Sequence, residues 1–381
     1  MIRRRTITSY VWNSVSGNKM VILSNCIRNF FRKFELIGNS VQGENPAPDN
    51  PQEIKSAGRF DEASGKYLLD VKVTGKNLLD KSIILPLSSY DIKDGIYWRK
   101  YFYLLPNTDY LIRVTPHYTE KLVDTSGFLG VGEPYDNNLP NGIISLIPDV
   151  GTTDKTNYFR TDATGKVILK FKDSANEENI RKMLEQVEIT LALKTFNNEH
   201  EPYTEQSMQI VLNEPLRGVG EYKDVLTKDG VVRKIKRTVF DGSEDEKWGL
   251  SREHENHINF ALVIKGAITV NTGIRTMMDK FKYFGAIWNS DLLGQDMFGA
   301  TLRINMPKTL ATDLQTFKTW LSQNPLTVDY VLAEPATEPL PESVQAQAQL
   351  QALHSENGTT HVFVDSGEVE CGINIEYKYK S

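Results

Sequence analysis

Apolar residues along this chain recur mainly at every second position, in short runs bounded by turn residues. Tyr67 to Val73, Tyr110 to Thr115, Val187 to Leu193 and Thr327 to Leu332 all alternate in this way. Successive side chains on a strand point to opposite faces, so each run predicts a β-strand with one buried side. Phe34 to Gly38, Tyr97 to Leu105, Gly142 to Ile147, Val167 to Phe171, Met208 to Leu212, Ile258 to Ile264 and Thr301 to Asn305 predict further strands. Helical spacing is rare. Leu310, Leu314, Phe317 and Leu321 form one stripe and predict a helix over 310–321. Ile180 and Leu184 predict one or two helical turns within 177–185.

Turn residues set the expected connections. The stretch Gly43 to Pro51 holds three prolines, which remove backbone donors and fix φ. The strands on either side of it, Phe34 to Gly38 and Tyr67 to Val73, are expected to pair across this loop. Asp229-Gly230 is a hairpin signal between Tyr222 to Leu226 and Val231 to Val239. The second arm alternates apolar and basic residues, so neither face is purely apolar. That predicts an exposed or inter-subunit hairpin rather than a central strand. Thr359 to Val364 and Val369 to Tyr379 predict a terminal hairpin.

Several short strands spaced by turns indicate a sandwich or barrel. Two blocks end alike: a helical segment, an alternating strand, then Glu201-Pro202 or Glu334-Pro335. The expected organisation is an N-terminal extension (1–34), a strand pair (35–76), a first β-sandwich (77–200), an extended hairpin region (201–250), a second β-sandwich (251–341), and a linker with a C-terminal hairpin (342–381). The fold class is mainly β, two jelly-roll-like sandwich modules with few short helices.

Charge and composition then exclude several functions. Lys plus Arg number 44 against 49 acidic residues, a net charge of −5, which lacks the excess of cations that phosphate binding needs. Two cysteines, Cys26 and Cys371, rule out a disulfide framework and a multi-cysteine metal site, and leave open whether the two pair. No run approaches the roughly 20 apolar residues of a membrane span. Arginines at the N-terminus are not followed by the apolar core of a secretion signal, so the chain is expected to be soluble, without one.

Catalytic patterns are missing. His254-Glu255-Asn256-His257 is one residue short of the zinc-peptidase spacing and reads as a polar loop. Glu244-Asp245-Glu246 reads as a solvated turn. No nucleophile elbow, phosphate loop or complete dinucleotide fingerprint occurs, so no catalytic residue, metal or cofactor is expected. Sugar recognition fits the composition better, because aromatic faces and a few polar groups on rigid strands suit a sugar's C–H faces and hydroxyls. Trp98, Tyr101 and Tyr103 share a strand, with Trp98 and Tyr101 expected in the core. The glycan-binding candidates are loop residues: Tyr118, Tyr135, Asp136 and Asn137 in the first block, and Trp288, Asn289 and Asp291 in the other.

Certain segments are more distinctive than any strand. GNSVQGENPAPDNPQEIKSAG (Gly38 to Gly58), KNLLD (Lys76 to Asp80), the run from Glu201 to Trp248, and FKTWLSQNPLTVDYVLAEP (Phe317 to Pro335) resemble minor structural tail proteins of phages and prophages of Gram-positive bacteria. The resemblance covers roughly residues 35–380. It implies a virion tail or baseplate component made in the host cytoplasm, with modules similar to carbohydrate-binding modules. It also implies homo-oligomers and contacts with other phage tail proteins and with host cell-wall glycan, while charge and the lack of a long apolar run predict no part for nucleic acid or membrane.

Overall fold

The computed structural model describes residues 6–7, 18–23, 30–90, 92–94, 97–117, 129–133, 142–144, 155–172, 177–195, 200–285, 293–340 and 360–378. The chain is mainly β, with curled antiparallel sheets and two α-helices among the described residues.

Two sheets share a central apolar layer. One has seven strands in the order Thr6–Ile7, Gly372–Lys378, Phe30–Ile37, Val225–Thr227, Gly230–Phe240, Leu326–Glu338, Thr276–Met278. The other, the five-stranded sheet, runs Glu205–Leu212, Lys66–Thr74, Thr360–Asp365, Asn18–Leu23, with Arg59–Asp61 also beside Lys66–Thr74. Phe34, Leu36, Leu226, Val231 and Ile373 from the first meet Leu69, Val71, Val73, Ile210, Val362 and Val364 from the second. Strand alternation explains the layer, since Leu69, Val71 and Val73 fall on one face and Asp70, Lys72 and Thr74 on the other.

Each of the two large blocks is spliced between neighbouring strands of this body. The chain leaves at Thr74 and returns beside it at Glu205, its register partner. It leaves again at Phe240 and returns at Leu326, also register partners. In the first block a three-stranded sheet (Lys155–Arg160, Asp109–Pro116, Val187–Leu193) shares one core with a second sheet ordered Ile143–Ile144, Leu129–Gly132, Lys166–Lys172, Tyr97–Tyr103, Ile92–Asp94. Tyr110, Ile112 and Val114 pack with Leu129, Val131, Val167 and Leu169, and the helix Glu177–Glu185 adds Ile180 and Leu184.

In the other block, Gly249–Glu253, His257–Val263, Thr301–Pro307 and Gly294–Phe298 form one four-stranded sheet. The helix Leu314–Gln323 covers it, with Phe317 stacked on Phe260 at 4.0 Å and edge-on to Trp248 at 5.1 Å. Met278, Leu326, Val328 and Tyr330, from two strands of the seven-stranded sheet, share this core with the helix and the four-stranded sheet. The two blocks do share a helix–strand ending, but the strands that follow lie in unlike sheets, Val187–Leu193 at an edge and Leu326–Glu338 inside the seven-stranded sheet.

Several expected connections are corrected. The strands flanking the proline loop do not pair; they face each other from different sheets, because both carry apolar faces that the shared core buries. The two last strands are also split between the sheets, so no terminal hairpin forms. The described parts of residues 1–34 join both sheets: Asn18–Leu23 pairs with Thr360–Asp365, and Thr6–Ile7 with Gly372–Lys378. The helix begins at Leu314 rather than Leu310, because Asp313 accepts from Thr316 N while the Thr316 hydroxyl takes the Asp313 N–H, a capping box. Leu310 stays outside, partly exposed.

The largest correction concerns Gly230–Phe240. The turn itself is as expected: Thr227 pairs with Gly230, whose φ of 141° suits glycine, and a Cβ there would strike the Glu338 carbonyl. Yet the strand is central, with neighbours on both sides. Its two arginines are drawn in against acids, while Lys236 stays exposed. A bulge between Arg233 and Ile235 frees backbone donors from the ladder, and buried Asp224 accepts from Lys234 N at 2.8 Å and Ile235 N at 3.0 Å. Asp224 also holds Arg217 N and the Arg233 guanidinium, which reaches Glu338 as well. Further along, Arg237 makes a two-pronged pair with buried Asp329 at 2.7 and 2.9 Å.

Candidate functional site

The polar face of the five-stranded sheet is set out by register. Gln209, Asp70 and Asp365 lie in one row across three strands; Ser207, Lys72 and Phe363 form the next; Glu205, Thr74 and His361 the third. The inserted first block stands over this face. Between them is a cleft of about 760 Å³, walled on the block side by Leu78, Asp80, Ile83, Phe102 and Tyr103, with Tyr203 on the returning chain.

The base of the insertion is fixed by buried polar contacts. Asn77 donates to Ile189 O and Glu201 O and accepts from Leu79 N and Leu191 N, so one side chain ties the exit, the return and an edge strand together. Lys76 is buried against Glu201 at 3.3 Å. These contacts hold the cleft's two walls in fixed relation.

Within the cleft the polar groups are already ordered. Asp70 accepts from Gln209 Nε2 at 2.8 Å and Arg59 Nη2 at 2.9 Å. Asp70's bond pushes the Arg59 pKa up, and Asp365 adds to the effect through its charge. Glu205 accepts from the Tyr203 hydroxyl and from Ser207 Oγ, with Lys72 Nζ 3.5 Å away. Burial works to raise the Glu205 carboxyl, but these donors outweigh it and hold it below the usual range. Burial, and then the bond to Glu205, push the Tyr203 phenol up, so it stays a donor at neutral pH. Lys72 Nζ also lies 5.4 Å from the centre of the Phe363 ring.

His361 closes one end of the face. It is fully buried, its Nδ1 is bonded to Gly75 O at 3.1 Å, and burial lowers its pKa from 6.5 to about 4. As pH falls below 6.5 the unfolded chain takes up this proton first. Stability from this group is therefore complete above pH 6.5 and is lost as pH falls toward 4, by about 3 kcal/mol in all. Urea midpoints measured from pH 7 to 4 are expected to fall less in His361→Gln than in the native chain; parallel curves would contradict this.

The glycan candidates Tyr118, Tyr135, Asp136, Asn137, Trp288, Asn289 and Asp291, like Cys26, lie outside the described residues. Of the strand aromatics, Trp98 packs on the first block's core, as expected. Tyr101 instead is half-buried under Lys166 Nζ, 3.9 Å from its ring. Tyr103 is 40% exposed and borders the cleft. His254 and His257 stack at 4.4 Å across a strand–strand turn, and no metal-binding group of three or more occurs among the described residues. Glu244 and Asp245 are exposed, but Glu246 is structural: it accepts from Asp241 N, Gly242 N and Trp248 Nε1.

Sequence reasoning missed Asp70, Lys72, Tyr203, Glu205, Ser207, Gln209, Phe363 and Asp365. Their signal was the polar half of the same alternation that marked the strands. A second cleft of about 500 Å³ lies between the proline loop and the later block, with Trp320 and Phe281 in its wall, but its Lys280 and Lys282 are taken up by Asp279 and Asn45. The geometry defines a mainly β protein with a strand-borne aromatic and acidic cleft. Comparison with known proteins found no matching family, no matching curated sequence and no matching solved structure.

Proposed function

We propose that this chain is a non-enzymatic structural protein of a phage or prophage tail that contacts host cell-surface glycans through the cleft over the five-stranded sheet. The tail assignment, with placement at the tail tip or baseplate, rests on the distinctive segments from Gly38 to Gly58, Lys76 to Asp80, Glu201 to Trp248 and Phe317 to Pro335. The glycan assignment rests on one observation: Phe363, Tyr103 and Tyr203 stand among ordered carboxylate, amide and hydroxyl groups on a rigid sheet face. Rings cover apolar sugar faces, and fixed polar groups bind hydroxyls. Jelly-roll-like, carbohydrate-binding modules in the 77–200 and 251–341 blocks, and a homo-oligomer joined to other tail proteins, complete the reading. Repeated weak sites would add through effective concentration.

The spacing of the carboxylates on the sheet face supports binding over hydrolysis. Asp70 and Glu205 are four residues apart along paired strands, about 13 Å at the usual rise. Glycosidase acids flank the sugar at about 5–9.5 Å. Asp70 and Asp365 are closer but stand side by side on one face, already accepting from Arg59, Gln209 and Gly367 N.

Retention on purified Gram-positive cell walls is expected to drop at least tenfold in a Tyr203→Ala/Phe363→Ala double variant. Trp288→Ala and Tyr135→Ala, made in parallel, test the loop candidates. Unchanged retention in the double variant would remove the cleft from the proposal, and release of reducing sugar by the native protein would favour a tail-associated hydrolase. Antibody labelling of purified particles is expected at the tail tip; tails without label would overturn the virion assignment.

A further inference from the structure

We infer that the cleft selects amine-bearing saccharides, with the ammonium seated at the paired carboxylates of Asp70 and Asp365; this rests on the glycan reading above. The two residues are direct register partners on adjacent strands, so their Cα atoms are about 5 Å apart. Two like charges directly opposite each other repel unless a cation lies between them. Arg59 is the cation present, and it bonds Asp70 Oδ2 at 2.9 Å. Asp365 accepts from the Gly367 amide through Oδ1, a neutral donor. One guanidinium thus serves two carboxylates.

The rest of the cleft adds to the excess. Its wall holds Asp70, Asp80, Glu205 and Asp365 against Lys72, and Lys72 lies 3.5 Å from Glu205. A polyanion such as a phosphate-linked wall polymer would meet this field with the wrong sign. A neutral sugar would gain nothing from it. A hexosamine with a free amine matches both features: an ammonium for the Asp365 carboxylate and a C–H face for Phe363, two residues earlier on the same face of that strand. The carboxylates are open to such a ligand, since the Asp70 side chain is 41% exposed. Desolvated only in part, the pair is worth most at low ionic strength.

The experiment is calorimetric titration of the full chain with a glucosamine tetramer and with its fully N-acetylated counterpart, at low and high salt. The amine form is expected to bind at least tenfold more tightly at low salt, with the ratio shrinking at high salt. Asp365→Asn keeps the acceptor for Gly367 N and is expected to bring the two ligands within about twofold of each other, by weakening the amine form far more than the acetylated one. Circular dichroism checks that the variant is folded. Equal or tighter binding of the acetylated form, or a ratio unchanged in Asp365→Asn, overturns the inference. If neither tetramer binds while wall retention still depends on Tyr203 and Phe363, the inference fails and the glycan reading stands. If wall retention ignores those residues too, both fall.

Discussion

Replacing Asp224 by alanine is expected to lower the unfolding free energy of the central body by about 3–5 kcal/mol, the usual cost of breaking a buried ion pair on one side. Asp224 has no exposed surface and serves four donors: three backbone amides, from Arg217, Lys234 and Ile235, and the Arg233 guanidinium. Alanine leaves the amides unmade and Arg233 short of one carboxylate, with Glu338 as its remaining ionic partner. Asp224→Asn keeps an acceptor oxygen but loses the charge, and should fall between. Urea unfolding followed by far-ultraviolet circular dichroism reads the change. A loss under about 1 kcal/mol for the alanine variant would mean that water or rearranged side chains replace the carboxylate.

Phe317→Ala is expected to cost about 3–5 kcal/mol in the block between Phe240 and Leu326, the range for emptying a buried aromatic site. Phe317 is fully buried, parallel to Phe260 and edge-on to Trp248, which in turn meets Phe240 at 5.8 Å. It is the contact that seats the helix on the four-stranded sheet. Trp248 supplies the readout, since loss of the helix exposes its indole and shifts its emission to the red. Phe317→Leu fills part of the space and should cost less. An alanine variant with unchanged emission and midpoint would show that the helix is held by Leu321 and Leu326 instead.

Both predictions fall on residues whose element was legible but whose environment was not. The alternation of Lys66–Thr74 and Val187–Leu193 marked strands because burial on one face leaves a period of two. The stripe of Leu314, Phe317 and Leu321 marked a helix for the parallel reason, although Asp313 decided where it starts. Pairing was less legible. A local rule joins strands across the nearest turn, and it succeeded at Asp229-Gly230. It failed at the proline loop and at the C-terminal strands, because one shared apolar layer places those neighbours in opposite sheets.

Gly230–Phe240 shows a second reason. Its basic alternation resembles a solvated strand until Asp224, Glu338 and Asp329 are seen to be its partners, and the last two lie about a hundred residues away. The candidate cleft was hidden in the same way. Each of its polar positions is an ordinary outward residue of some strand, and only the register between distant strands gathers them.

That register also has a temporal side. The strand carrying Asp70 is bonded to Gln209, 139 positions on, and Gly75 is bonded to His361, 286 positions on. Contacts this remote in sequence close late and slowly, since the chain between them must first be confined. On the ribosome, the first inserted block can bury its own core well before the strand Thr360–Asp365 exists, as domains generally fold in the order of synthesis. The cleft is therefore finished only when its last strand arrives.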